Sequence, residues 1–388
     1  MAAFLVLTAL TGSVMAWFDE IEKLVAPGLV LATPPAPGAP LLDPLTLHAR
    51  AKAQVPAGAA MPWIPLHVQP GRTLRMNVVG AEGAQPEPFD EVFVDPYTGR
   101  VQGQRLWGDI TQGARNLMTF IYRLHYSLAL GAAGATLLGI VALVWTLDCF
   151  VGAWLTLPAQ PASRRDGPSW LARWRPAWRI RQGHGRYKLV YDLHRAGGLW
   201  LWAVLFVLAW SSVAFNLQEV YAPVTRVLLG QQSTQPGHGG GSPLAAPRPS
   251  PTLSHAQALD VARTLVSQQA EQRGFVVQRE EWLGYDPTRG NYTYMVTSDR
   301  DIRERYGGNT RLLFDGDTGV FQGLYLPTGE AAGDTVTTWI TTLHMAAMWG
   351  LPLKIAVTLA GIAITLLSVT GVLIWLRKRR GRRAHVRH

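Results

Sequence analysis

The sequence predicts a membrane α-helical bundle of four transmembrane helices with a two-fold internal repeat, carrying two small α+β domains outside the bilayer. Three observations predict it: long apolar stretches, a lopsided distribution of basic side chains, and a motif that occurs twice at matched spacing. At 388 residues, 48% hydrophobic and only 16% charged, with 15 Trp, the composition argues against an ordinary soluble protein. The single cysteine, Cys149, excludes intrachain disulfides, a Cys-ligated zinc site and a Cys-held iron–sulfur cluster.

Residues 1–18, 196–217 and 355–376 contain no charged side chain, and 128–157 contains only Asp148. About 20 apolar residues cross a bilayer as a helix, so the last three qualify. Residues 1–18 are short for a span, roughly 27 Å of helix against a core of about 30 Å. They also lack the basic flank of a secretory signal. Alignment of Thr11-Gly12-Ser13 with Ser211-Ser212-Val213 predicts that the first span, its basic flank and a further histidine begin upstream of Met1.

The net charge of +10 suggests a nucleic-acid binder until its distribution is followed. Residues 158–195 and the tail after Leu376 together carry +14, leaving −4 for everything else. The positive-inside rule places both basic pieces, and both termini, in the cytoplasm. No nucleic-acid partner is needed to explain the charge. The expected order is a first span at 1–18, an outer domain at 19–124, a second span at 125–157 and a basic loop at 158–193. A third span follows at 194–217, a linker at 218–253, a second outer domain at 254–343, a fourth span at 344–376 and a basic tail at 377–388.

In the first outer domain a short helix is expected over 43–54, with strands near 63–68, 73–79, 91–94 and 101–106. In the second, Ser254 caps a helix running to about Ala270, followed by strands near 275–283, 291–297, 311–314 and 320–325. The Gly/Pro/Ser-rich tracts at 230–252 and 33–40 are too poor in apolar residues to pack and read as linkers. In the basic loop, Trp170, Trp174 and Trp178 recur every four residues among Arg173, Arg175, Arg179 and Arg181. That is the pattern of a segment lying on the inner leaflet, or of a basic dock for an acidic electron donor, interrupted at Pro176.

The motif Asp95-Pro-Tyr-Thr98-Gly99-Arg-Val-Gln-Gly103 matches Asp315-Gly-Asp-Thr318-Gly319-Val-Phe-Gln-Gly323. Downstream, Leu124-His125 matches Leu343-His344, with a glycine six residues later (Gly131, Gly350) and another 27 residues after the histidine (Gly152, Gly371). A span–domain–span array used twice is a parallel repeat about an axis along the membrane normal. With this motif pair, the segment LTGSVMAWFDEIEKLV and the third-span opening LHRAGGLWLW, the sequence resembles the PepSY-associated transmembrane proteins, which include iron-regulated membrane proteins. The resemblance covers the chain apart from its linkers and basic tail. It implies a bacterial inner-membrane location and PepSY-like periplasmic domains. Some members are haem-carrying reductases that deliver electrons to ferric siderophores, so the resemblance also implies that activity.

The histidines can be read without the resemblance. His125, His194 and His344 occupy the mouths of expected spans. Neutral imidazole is an axial ligand for haem iron, and facing helices of a bundle build such sites. The repeat puts His125 and His344 at one depth on the outer side, as a bis-histidine haem b requires. Their plainer role is interfacial, satisfied by water or backbone. His194 opens the third span on the inner side, beside Gly197 and Gly198, and is a candidate for a second haem iron. Arg195 is a candidate partner for a propionate, and His184 is a weaker ligand candidate. Asp148 reads as an interfacial carboxylate near the inner surface.

Asp317-Thr318-Gly319 looks like an aspartic-protease triplet, but its counterpart is Tyr97-Thr98-Gly99, so the second carboxylate such chemistry needs is missing. A tight turn is the better reading. No NAD(P) or flavin fingerprint is recognisable, so electrons would come from quinol or from a cytoplasmic reductase. The expected function is haem-dependent electron transfer across the membrane, reducing a periplasmic ferric siderophore to release iron. The alternatives are a non-enzymatic protein that binds or regulates a periplasmic partner such as a peptidase, and a transport-associated scaffold.

Overall fold

The computed structural model describes residues 1–80, 87–159, 168–183, 185–232, 243–305 and 307–385. In chain order the first helices are α1 Ala2–Met15, α2 Phe18–Val25, α3 Pro27–Val30, α4 Pro44–Lys52, α5 Leu117–Ser127, α6 Gly131–Trp154 and α7 Trp170–Trp174. They continue with α8 Arg186–Trp200, α9 Trp202–Asn216, α10 Gln218–Leu229, α11 His255–Arg273, α12 Ala332–His344 and α13 Gly350–His385. The strands are β1 Trp63–Pro65, β2 Leu74–Asn77, β3 Glu91–Val94, β4 Val101–Arg105, β5 Val277–Asp286, β6 Asn291–Ser298, β7 Thr310–Asp315 and β8 Phe321–Tyr325. The chain divides into a helical unit (Met1–Trp17, Tyr122–Pro223 and Leu343–His388) and a sheet unit (Phe18–Ile121 and Val224–Thr342).

In the helical unit, α6 and the Gly350–Arg380 part of α13 are each long and apolar enough to cross a membrane. The pairs Ala2–Met15 with Phe18–Val25, and Arg186–Trp200 with Trp202–Asn216, meet the same test only as broken spans, the second bent by 69°. That makes two candidate spans, or up to four. The apolar run expected as one uninterrupted third span is instead two helices, α8 and α9, that break at Leu201 with a bend of 69°. Packing pairs α1 with α13 and α6 with α9, and α8 lies against α13. Glycines let the backbones close up: a Cβ on Gly361 would stand 2.7 Å from the Ala9 carbonyl, and one on Gly139 would stand 2.9 Å from that of Asn216.

The histidines do not open the span helices, as their position before each apolar run had suggested. His125 lies near the end of α5 and His344 closes α12. A break follows each, with positive φ at Leu128 (54°) and Ala129 (56°) after the first and at Ala346 (49°) and Trp349 (55°) after the second. The left-handed region costs a non-glycine residue about 1–2 kcal/mol. Its recurrence after both histidines marks these breaks as imposed by packing rather than by local preference.

The two segments expected to form separate domains share the sheet unit. β2-β3-β4 form one antiparallel sheet, but β1 leaves them and pairs with β5 at the edge of the sheet β1-β5-β6-β7-β8. The reason is steric and apolar. Gly284 has no side chain, so the Trp63 ring lies where a Cβ would stand, and Ile64 and Leu66 enter the core beneath α11. That core contains Leu259, Val266, Leu283, Tyr294, Leu312 and Phe314, all from α11 and alternate strand positions. A second core joins Leu47 and Ala51 of α4 to Met76, Val92 and Val94.

The expected helices are present with the caps that define them. Asp43 accepts from the amides of Leu45 and Thr46, and Ser254 forms a capping box with Gln257. Two linker expectations are corrected. Gln218–Leu229 is the helix α10, and 244–253 is held to the sheet by Leu244 N–Thr288 O (2.8 Å), Arg248 N–Pro287 O (2.7 Å) and Leu253 N–Gly316 O (3.1 Å). Leu253 packs against the core and Arg248 pairs with Asp317 at 2.7 Å, so side chains as well as backbone dock that tract. Part of it, 233–242, lies outside the described residues.

The twice-used motif is a turn. Asp95 Oδ1 accepts from the amides of Tyr97 (2.7 Å) and Thr98 (3.1 Å), and Asp315 Oδ1 accepts from those of Asp317 and Thr318 (both 2.9 Å). Gly99 (φ 72°) and Gly319 (φ 71°) then take the left-handed position. Asp317 accepts from the Thr252 amide at 2.8 Å, a structural role rather than a catalytic one.

Candidate functional site

The helical unit brings two histidines together. The rings of His125 and His344 are 6.2 Å apart between centroids and 74° apart in plane. Each is held through Nδ1 by a hydroxyl of a neighbouring helix: Thr11 Oγ1 at 3.0 Å from His125 and Ser211 Oγ at 2.7 Å from His344. Phe215 packs edge-on against the His344 ring at 5.4 Å.

Hydrogen-bond counting favours one tautomer. A hydroxyl has one proton to give. With the Thr11 proton on the Leu7 carbonyl (2.8 Å) and the Ser211 proton on that of Val207 (2.6 Å), both oxygens accept from Nδ1–H and the lone pair of each imidazole lies on Nε2. The backbone carbonyls of Thr8 and Leu208 also hydrogen bond to the His125 and His344 rings.

The third candidate, His194, lies on α8 and does not join this pair. Its Nδ1 faces the Leu367 carbonyl at 3.0 Å and Thr370 Oγ1 at 3.2 Å. A carbonyl only accepts, so His194 also carries its proton on Nδ1. A Cβ on Gly197 would meet Leu367 at 3.3 Å, whereas one on Gly198 would meet nothing within 4 Å. His184 lies outside the described residues.

Arg195 is committed elsewhere than to a propionate. It donates to Asp192 at 2.9 Å and to the carbonyls of Pro176 and Ala177, while Arg181 grips the same buried carboxylate with two bonds of 2.7 and 2.8 Å. This network ties the basic loop to α8. Trp170, Trp174 and Trp178 form a ladder with centroid spacings of 5.2 and 5.1 Å, and Pro176 ends the α-helix at Trp174 as its missing N–H requires. Asp148 is exposed on α6 and makes no ion pair among the described residues.

Sequence reasoning found the histidines but missed Thr11, Ser211 and Thr370. The signal was present in two Thr-Gly dipeptides, 11–12 and 370–371, within otherwise apolar helices.

Long apolar helices mark a membrane protein whose helical unit holds a close histidine pair. The chain belongs to the family of the PepSY-associated TM region, whose model matches residues 1–378. Comparison with curated proteins finds no match.

Proposed function

We propose that this protein is a haem b-dependent electron carrier of the bacterial inner membrane that reduces a periplasmic ferric siderophore. The observation that carries the reading is the His125–His344 pair, 6.2 Å between ring centroids with Nδ1 of both rings already hydrogen bonded. Among the described residues no cluster of three or more His, Cys, Asp or Glu could hold a bare ion. A pair of imidazoles suits a metal that brings its own equatorial ligands. When bound, haem supplies a one-electron ferric/ferrous couple.

The residues divide the work. His125 and His344 would hold the haem iron, with Thr11 and Ser211 supporting the Nδ1–H tautomer that leaves Nε2 for the metal. His194, in the same tautomer on α8, would serve a second site on the inner side. Phe215 of α9 would shield the His344 ring on one side. A ferric chelate with hard oxygen donors loosens its iron on reduction, so the sheet unit would need only to receive it. Quinol or a cytoplasmic reductase would supply the electrons.

The visible spectrum of the full chain purified in detergent tests this reading. A low-spin Soret band with sharp reduced α and β bands is expected. A colourless protein would favour a partner-binding or scaffold role instead.

A further inference from the structure

Two of the membrane histidines rest in the same two-residue cradle on different helices. Beneath His125, Thr11 Oγ1 is 3.0 Å from Nδ1 and a Cβ on Gly12 would stand 3.0 Å from Cε1. Beneath His194, Thr370 Oγ1 is 3.2 Å from Nδ1, beside the Leu367 carbonyl of the same turn at 3.0 Å, and a Cβ on Gly371 would stand 3.1 Å from Cε1. In both, the threonine has given its proton to its own helix, Thr11 to the Leu7 carbonyl and Thr370 to the Leu366 carbonyl, each at 2.8 Å. Ser211 does the same beneath His344, but Ser212 follows it in place of a glycine.

We propose that Thr11-Gly12 and Thr370-Gly371 are imidazole clamps, positioning elements that fix both the tautomer and the ring plane of the histidine above them. Ser211 is the hydroxyl-only counterpart at His344. The clamp follows from hydrogen bonding and packing alone; its effect on a reduction potential rests on the proposed haem ligation.

Each half of the dipeptide has a separate task. The hydroxyl oxygen accepts from Nδ1–H, at His194 sharing that proton with the Leu367 carbonyl, keeps the lone pair on Nε2 and adds electron density to the ring, which favours the higher oxidation state of a bound metal. The glycine lets the ring lie against the helix backbone. A methyl group there would make the imidazole give way by a few tenths of an ångström and turn. A threonine in a helix usually satisfies only its own turn. Here its second valence reaches a histidine on another helix, at two independent places.

The test uses the full chain in detergent, as wild type and as Thr11→Val, Thr11→Ser, Gly12→Ala and Thr370→Val. In metal-free protein labelled with 15N-histidine, ring-nitrogen NMR should show His125, His194 and His344 protonated on Nδ1. An Nε2–H form at His125 or His194 overturns the clamp whatever the haem content. In haem-loaded protein, Thr11→Val should weaken haem retention by about 10- to 100-fold and raise the midpoint potential, and Thr11→Ser should restore both. Gly12→Ala should shift the low-spin EPR g values as the ring turns. An unchanged potential in Thr11→Val, together with unchanged g values in Gly12→Ala, overturns the positioning role. A colourless wild type with all three histidines in the Nδ1–H form would overturn the haem reading and support the clamp.

Discussion

His125 and His344 face one another from two helices that each stop within a few residues of the histidine, their rings 6.2 Å apart and 74° to one another. Since α5 and α12 end here, both rings are held at helix termini, where backbone breaks at Leu128–Ala129 and Ala346 let the chain turn into α6 and α13. The pair is therefore set by tertiary packing and not by the helices that follow.

On the proposed haem ligation, one shared iron would make the two histidines non-additive. His125→Ala and His344→Ala should each remove the same fraction of the low-spin Soret absorbance, and the double variant should lose no more than either single. Full absorbance in both singles would sink the shared-ligand assignment. Haem titration of detergent-purified protein provides the measurement.

The sheet unit contains a buried ion triad whose cost is testable. Arg105 is fully buried and donates to Glu22 and Glu91, each at 2.6 Å. Burial disfavours its charge, but the two carboxylates outweigh that and hold the guanidinium above its ordinary range. Arg105→Met should cost about 3–5 kcal/mol, because Glu22 loses its cation and Glu91 keeps only the longer contact with the half-exposed Arg75 at 3.5 Å. Adding Glu22→Gln and Glu91→Gln should recover much of that loss. Denaturant unfolding of the full chain, followed by far-UV circular dichroism, compares the three proteins. A loss under 1 kcal/mol in the single variant would show that water reaches the carboxylates.

Much of this architecture is legible in the sequence because it rests on local signals. Asp43, Ser254 and the two Asp-x-x-Thr-Gly turns announce themselves by spacing, since each side chain satisfies amides two or three residues away. Strands β3 and β7 lie where their apolar runs place them. The departure of β1 to the second sheet was not legible, because it depends on Gly284 receiving Trp63 across more than 200 residues of chain. The helix breaks after His125 and His344 were hidden for a different reason. Leu128, Ala129, Ala346 and Trp349 carry no turn signature, and their positive φ is forced on them by their neighbours. At the candidate site, residue type identified the histidines, but only the fold shows which hydroxyl faces which ring.

A second histidine pair gives the sheet unit an acid response. His48 and His255 meet edge to face at 5.4 Å, and His48 Nε2–H donates to the Met61 carbonyl at 3.1 Å. Burial pushes both below the ordinary value of 6.5. The unfolded chain therefore binds protons that the folded one refuses, so stability is fully present above pH 6.5 and falls as pH drops below it towards the folded values. Hydrogen exchange on the full chain should speed up over α4 and α11 between about pH 6.5 and 5, after correction for intrinsic rates. His48→Gln with His255→Gln should flatten that response. An identical pH profile in the double variant would assign the effect to other groups.

The direction of electron flow is the last expectation, and it follows from the proposed function. Arg181 and Arg195 are both spent on Asp192, and the Trp170–Trp174–Trp178 ladder is stacked on itself. These groups serve the packing of the basic loop, and the sheet unit is the proposed receiver of the chelate. Proteoliposomes with reductant sealed inside should reduce an external ferric chelate. Protease cleavage of the basic tail establishes which way each molecule faces, and only molecules with the tail inside should contribute. The rate should fall with His125→Ala, His344→Ala and His194→Ala, because each removes an imidazole whose Nε2 is poised to ligate. Loss with the first two but not the third would restrict the pathway to the outer pair. Equal rates from haem-depleted protein would remove the histidines from the reaction altogether and leave the sheet unit as a binding module.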